Sequence, residues 1–364
     1  MIYSQQQPVL ALTYDDVNLI PKYSEVQSRS LVSLTSKLTR NYYLKSPYIA
    51  SPMETICGLK MASTMMGLGG TGCIHRFMSI EEQCNIVKTL SINRQSYVDN
   101  VISLDYIIPV VAAIGTTGGA IERGIELIKA GVDVLLIDVA HGDHINVKKT
   151  IEALKSHRKN TYSECQIDII AGSVATGDST RNLCEWGADA VRVGIGNGSL
   201  CSTRIQTGHG VPSLTSILEC SEIAYDYDVP VIADGGIRSS GDIAKAIAFG
   251  ASSVMLGSML AGTKESPVPY IEGRDGSLWK RYAGSASSQT KENNGLPQKN
   301  IEGESTLVRD KGGTKHIIRK LNEGLQSALS YSGTDRMKVF KDTVEYYQVT
   351  TAGVAEAKPH LIDK

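Results

Sequence analysis

Eight short apolar runs punctuate the chain, separated by longer stretches in which apolar and polar residues mix. They are YIASPM (48–53), TGCIHR (71–76), PVVAAIG (109–115), VDVLLID (132–138), IDIIAG (167–172), ADAVRVGI (188–195), VPVIADGG (229–236) and SSVMLGS (252–258). Each is rich in Val, Ile and Ala and too short for a helix. Their apolar character is continuous rather than alternating, which suits strands buried on both faces of a parallel sheet. The segments between them read as helices. Ser79 and Glu82 form a capping box in front of IEEQCNIVKTL. SGDIAKAIAFG sets Ile243, Ala244 and Ile247 on one face and stops at Gly250.

A weak internal repeat has the same rhythm. KAGVDVLLID, EWGADAVRVG and AFGASSVMLG each run from helix through a glycine (131, 187 and 250) into an apolar strand. Eight such units predict an α/β fold, a closed (β/α)8 TIM barrel; an open doubly wound sheet is the alternative. Residues 1–45 form an N-terminal extension and residues 313–364 a C-terminal helix and tail, all within one catalytic domain. Residues 263–312 are polar and rich in Gly, Ser and Lys. They are either a disordered surface loop or a mobile flap. The flap is the stronger reading, because the active face of a barrel is built by the loops that follow its strands.

Composition narrows the class. The 364 residues are 41% hydrophobic, enough for a large core, and carry a formal net charge of −1. Such a balance gives no bulk field for nucleic acid or an anionic membrane. No run of 18 apolar residues occurs. The first residues, MIYSQQQPVLALTYDD, lack the basic and apolar blocks of a secretory signal, so a cytoplasmic protein is expected. The seven cysteines are odd in number and form no C-x-x-C pair, which reads as a reducing compartment with mostly buried thiols.

Candidate chemistry falls just after the strands: Ser51–Pro52–Met53, His75–Arg76, Asp138, Ser173, GIGNGSLCSTR (194–204), Asp234–Gly235–Gly236 and Gly257–Ser258. Gly196 and Gly198 let backbone approach a ligand closely. Their N–H groups could nest an anion, or their carbonyls ring a monovalent cation, although a plain turn would look the same. Loops after strands seven and eight form the common phosphate site of these barrels, so Gly235, Gly236, Gly257 and Ser258 could offer N–H and O–H donors to a phosphate and Asp234 could accept from ribose hydroxyls. Asp234 could equally be a helix N-cap. Cys201 lies on the same face, where a thiolate could attack an electrophilic ring carbon, its acidity helped by backbone dipoles and the nearby Arg204. Cys57, Cys73 and Cys184, in apolar or helical settings, read as structural.

Seven stretches carry a resemblance. LTYDDV (12–17), SPMET (51–55), IHRFMSIEEQ (74–83), GVDVLLIDVAHG (131–142), VGIGNGSLCSTRIQTGHGVP (193–212), VIADGGIRSSGDIAKAIAFGAS (231–252) and VMLGSMLAGTKESP (254–267) resemble the IMP dehydrogenase/GMP reductase family in order and spacing. The resemblance implies a purine nucleoside 5′-monophosphate substrate, a transient covalent bond from Cys201 to C2 of the base, and hydride exchange with a nicotinamide cofactor. It carries nucleotide contacts onto Ser51, Met53, Ser199, Asp234, Gly235, Gly236, Gly257, Ser258, Tyr282, Gly284 and Ser285. Cofactor contacts fall on Asp138, Val139, Ala140 and Gly194. The carbonyls of Gly196, Gly198 and Cys201 would hold K+. A homotetramer is the implied assembly.

The branch is read from the flap. Dehydrogenases of the family usually carry CBS domains between strands two and three, and here those are absent, though some dehydrogenases lack them too. Dehydrogenases activate water with an Arg-Tyr pair in the flap; between Gly284 and Gly312 this chain has only Arg309 and no tyrosine. The reductase branch uses a threonine two residues after the cysteine together with a flap glutamate, here Thr203 and Glu302. The resemblance therefore implies NADPH-dependent conversion of GMP to IMP and ammonia. A CBS-less IMP dehydrogenase and a non-catalytic nucleotide-binding relative are the alternatives. The family has Asn, Pro, Thr or Ile, and Gln where Ser173, Asn197, Ser202 and Ser213 stand, while Val139–Ala140 departs from the dehydrogenase Ser-Ser. A deoxy or modified purine nucleotide is a further alternative on that ground.

Overall fold

The computed structural model describes residues 9–98, 107–161 and 167–358. Its centre is a closed barrel of eight parallel strands, one from each apolar run: β1 (Tyr48–Ala50), β2 (Thr71–Ile74), β3 (Val111–Ile114), β4 (Val134–Asp138), β5 (Asp168–Val174), β6 (Ala190–Val193), β7 (Val231–Asp234) and β8 (Ser253–Leu256). Closure comes from β8 against β1, with Val254 opposite Tyr48 and Leu256 opposite Ala50. The open-sheet alternative is thereby excluded.

Period-two geometry splits each strand between two cores. Ile49, Cys73, Val111, Ala113, Val134, Leu136, Ile170, Ala190, Ile232 and Met255 fill the barrel interior. Their neighbours, such as Ala50, Ile74, Leu135, Val191 and Val254, face the surrounding helices. Both sets are apolar, hence the unbroken runs in the sequence. A hairpin of Ser36–Lys37 and Tyr43–Leu44 adds Leu38 and Leu44 to the interior cluster. Asp168, at the start of β5, accepts from Thr39 Oγ1 at 2.5 Å and Asn41 Nδ2 at 2.8 Å, so the hairpin plugs the N-terminal mouth. The opposite mouth is left for chemistry.

The helices start and stop where the sequence signals them. Ser79 Oγ accepts from Glu82 N at 3.1 Å ahead of the helix Ile80–Val98. Ser239 Oγ accepts from Asp242 N at 3.1 Å and opens the helix Ser240–Ala248, which buries Ile243, Ala244 and Ile247. Gly250 ends that unit at φ +108°; a Cβ there would lie 2.1 Å from Ser221 Oγ. No helix of the described residues is long and apolar enough to cross a membrane.

The polar segment 263–312 is folded, not a plain loop. It forms a three-stranded antiparallel sheet of Tyr270–Glu272, Leu278–Ala283 and Ser305–Arg309, with a short helix Ser288–Asn293 between the last two. Its alternation was masked because one inward position is a lysine. Lys280 is buried, with its ammonium on Ser266 O at 2.8 Å and 4.4 Å from the centre of the Tyr270 ring, and Tyr282 is buried two positions on. The extension and the tail meet as well: Val17–Leu19 pairs antiparallel with Tyr346–Gln348, beyond the C-terminal helix Thr314–Tyr331.

Candidate active site

A cavity of about 370 Å³ opens at the C-terminal mouth of the barrel. The residues given catalytic, nucleotide, cofactor or cation roles from the sequence line it, namely Ser51, Met53, Asp138, Val139, Ala140, Gly194, Gly196, Gly198, Ser199, Cys201, Thr203, Asp234, Gly235, Gly236, Gly257, Ser258, Tyr282, Gly284, Ser285 and Glu302, whereas the candidates His75 and Arg204 do not. They come from loops after five strands and from the folded flap, so one concave surface collects groups spread over 250 positions.

The loop after β6 carries the thiol. Cys201 is exposed, whereas the other described cysteines, 57, 73, 84, 184 and 220, are buried; Cys165 lies outside the described residues. Cys201 N donates to Gly198 O at 3.0 Å, which turns the loop back on itself. Flap residues 302–304 then run antiparallel beside it. Ser202 N donates to Glu302 O at 3.0 Å and Glu304 N to Leu200 O at 2.8 Å, with Cys201 opposite Gly303. This pairing brings three polar side chains into series. Cys201 Sγ donates to Thr203 Oγ1 at 3.1 Å, and Thr203 Oγ1 donates to Glu302 Oε2 at 2.8 Å. A proton leaving the sulfur has a continuous path to a carboxylate.

Arg204 makes no hydrogen bond to the thiol. Its guanidinium donates to Asn197 Oδ1 and, at 2.8 Å, to Val211 O. The hydrogen bond of the thiol is to Thr203 instead. Asp234 is not a helix N-cap either, since Ser239 fills that place. The carboxylate of Asp234 stays on the cavity, 3.7 Å from Arg192 Nη1. Burial pushes its pKa above the usual carboxylate range, and Arg192 opposes that shift.

At one end, Ser199 Oγ and Tyr282 Oη lie 3.3 Å apart. A Cβ on Gly257 would come within 3.0 Å of Tyr282 Oη and 3.5 Å of both Ser51 Oγ and Met53 Sδ, so two hydroxyls and a thioether converge on that glycine. Lys311 Nζ braces the same loop from outside through Ser258 O at 2.5 Å. At the other end, Val139 N donates to Gly172 O at 3.1 Å and Ser173 N to Val139 O at 2.9 Å. Gly194 sits between the ends at φ +144°, and a Cβ there would fall 2.0 Å from Asp234 O. Among the described residues no group of His, Cys, Asp and Glu is arranged for a metal ion. The carbonyl of Gly198, one of three expected to hold K+, accepts from Cys201 N.

Sequence reading missed Arg192. It interrupts the apolar strand β6, is buried, and pairs with Asp138 through Nη2 and Oδ1 at 2.7 Å. The available signal was a charge at an inward position of a buried strand, where such residues survive only when paired. Phe77, Lys291 and Leu296 also line the cavity without having been singled out, and Lys291 Nζ is tied to Asn300 O at 2.8 Å.

A closed barrel of eight parallel strands with a cavity at its C-terminal mouth defines the molecule as a TIM-barrel enzyme scaffold. The model of the IMP dehydrogenase / GMP reductase domain matches residues 11–360. An inosine-5′-monophosphate dehydrogenase of Cryptosporidium parvum is 38% identical, covering 97% of this chain and 95% of its own. A GMP reductase of Leishmania major is 31% identical and covers 97% of each chain. An inosine-5′-monophosphate dehydrogenase of Nitrosopumilus maritimus is 31% identical, covering 96% of this chain and 98% of its own. The chain belongs to the IMP dehydrogenase/GMP reductase family, oxidoreductases of purine nucleotide metabolism that use a nicotinamide cofactor.

Proposed function

We propose that the protein is an NADPH-dependent GMP reductase. The observation that carries this reading is the hydrogen-bonded series Cys201–Thr203–Glu302, with legs of 3.1 and 2.8 Å. It is joined by the lack of an Arg-Tyr pair between Gly284 and Gly312: Arg309 stacks over the Trp279 ring at 5.2 Å and does not line the cavity, and the earlier Arg281–Tyr282 places its tyrosine beside Ser199, at the end read as the phosphate site.

The residues fit the substrate in three parts. Ser199, Ser258 and Tyr282, with the backbone of Gly235, Gly236 and Gly257, suit a 5′-phosphate. Asp234 suits the ribose hydroxyls, and Ser51, Met53, Gly284 and Ser285 border the base. Beyond Cys201, Asp138, Val139, Ala140 and Gly194 suit the nicotinamide end of a cofactor, whose chemical contribution is a hydride. Carbonyls of Gly196 and Cys201, with the second lone pair of Gly198 O beside its bond from Cys201 N, would hold a monovalent cation that stiffens the loop.

Cys201 adds to C2 of GMP as its proton passes to Thr203 and on to Glu302. Glu302 and Thr203 return that proton to the departing amino group, which leaves as ammonia, and the purine stays bonded to sulfur. After C2 accepts hydride, the C2–S bond breaks, IMP is released and the sulfur takes a proton from solvent. One GMP, one NADPH and one proton thus yield IMP, NADP+ and ammonia. A water-activating base is not needed anywhere in this sequence.

The test is an assay of purified protein with GMP and NADPH, following loss of NADPH absorbance and release of ammonia, beside a parallel assay with IMP and NAD. Turnover in the first alone is expected. Formation of XMP and NADH in the second overturns the reading in favour of a dehydrogenase. A homotetramer is the assembly proposed from the family, and light scattering measures it.

A further inference from the structure

We infer that Arg192 is a positioning residue that aims the Asp234 carboxylate at the ribose and thereby makes the site select ribonucleotides over deoxyribonucleotides. The inference rests on the purine nucleotide reading above and adds a residue and a substrate class to it.

Arg192 stands two positions after Ala190 on β6, so it shares Ala190's inward direction. Its side chain is 6% exposed. The guanidinium reaches across the barrel mouth in two directions: Nη2 to Asp138 Oδ1 at 2.7 Å on β4, and Nη1 toward Asp234 Oδ2 at 3.7 Å on β7. Nη2 also donates to Val139 O at 3.4 Å, and Nε is buried without a partner. Burial disfavours the guanidinium charge, and the two aspartates outweigh it.

Burying three charges to close a barrel gains little stability, since apolar residues of similar volume serve as well. What a rigid guanidinium fork adds is direction. Asp138 and Arg192 are nearly covered, but the Asp234 side chain is 26% exposed and faces the cavity. One of its oxygens faces the Arg192 charge at 3.7 Å, an ion pair rather than a hydrogen bond, which leaves its lone pairs free to accept hydroxyl protons. A sugar lacking those hydroxyls would leave this oriented carboxylate unpaired in a partly dry site, and such sites reject analogues more strongly than they reward substrates.

The experiment compares binding of GMP and of 2′,3′-dideoxy-GMP by isothermal titration calorimetry, using the full chain, Arg192→Lys and Arg192→Gln. The native chain is expected to prefer GMP by roughly tenfold to a hundredfold, the range of a hydrogen bond to a charged group. In Arg192→Lys one ammonium reaches only one of the two carboxylates, so the preference falls severalfold while affinity for the dideoxy nucleotide hardly moves. Arg192→Gln falls to near no preference; should it not fold, Arg192→Lys carries the same comparison. A preference unchanged in a variant that melts cooperatively overturns the inference and leaves the functional reading standing. A native chain that binds neither nucleotide removes the reading on which it rests.

Discussion

Thr203 Oγ1 donates to Glu302 Oε2 across 2.8 Å, although 99 positions separate the two residues in the chain. The contact exists because flap residues 302–304 pair by backbone with residues 200–202. The side-chain series and flap docking are therefore one structural event. Glu302→Gln should keep the docking, which uses main-chain atoms, and lose the proton acceptor. The deamination step is expected to slow by about 10² to 10⁴, with hydride transfer to the preformed covalent intermediate much less affected. Rapid-quench measurement of ammonia against stopped-flow measurement of NADPH separates the two. Equal slowing would make Glu302 a docking residue only.

Thr203→Val removes the middle of the series while nearly preserving volume. It should reproduce most of the Glu302→Gln defect, and the double variant should be little worse than either single one, since residues acting as a unit are not additive. Multiplying defects would mean that thiol and carboxylate work independently.

Cys201 is exposed, and burial pushes the thiols of Cys184 and Cys220 up to about 11 and about 12, with Cys57 and Cys73 also raised. Limited treatment with iodoacetamide at neutral pH should alkylate Cys201 well before those four, and GMP should protect it. Peptide mapping by mass spectrometry reads the order. Cys201→Ala is expected to abolish turnover and leave GMP binding within a few-fold of native.

Gly194→Ala tests the closest backbone approach in the site. The added methyl would lie 2.0 Å from Asp234 O, main-chain atoms with no rotamer to escape into. The strand β7 end must shift. Activity should drop at least tenfold, the scale at which small misplacements act, and the melting temperature should fall as well. Native kinetics in a folded Gly194→Ala would show the two loops to be looser than their contact implies.

His75 gives a pH prediction. Burial pushes its imidazole down from 6.5 to about 4, and its Nδ1 accepts from Phe77 N at 3.1 Å. The folded chain keeps it neutral where the unfolded chain protonates it. Its contribution is thus intact above pH 6.5 and lost as pH falls toward about 4, up to roughly 3 kcal/mol. Urea unfolding of native and His75→Asn proteins should show the acid-side slope reduced in the variant. Parallel pH curves would exclude His75 as a contributor.

Much of this was legible in the sequence. All eight strands were, because burial on both faces writes a strand as an unbroken apolar run, and strand ends in a barrel define where chemistry sits. Cys201 was legible from its place after the sixth strand, but Thr203 and Glu302 only by resemblance, since a lone glutamate in a polar segment carries no pattern of its own. The flap sheet was hidden by Lys280, whose charge is neutralised by a carbonyl and a ring that no local pattern predicts.

Local order within the barrel, then, was set by the sequence alone: which segments are its strands and which its helices. Tertiary structure decided the company each side chain keeps. Arg192 between Asp138 and Asp234, Glu302 on Thr203, and Val17–Leu19 beside Tyr346–Gln348 are all meetings of distant segments. The physical reason is that hydrophobic periodicity records how deeply a residue is buried. Which partner it meets there is fixed only when the eighth strand closes on the first and the flap folds across the mouth.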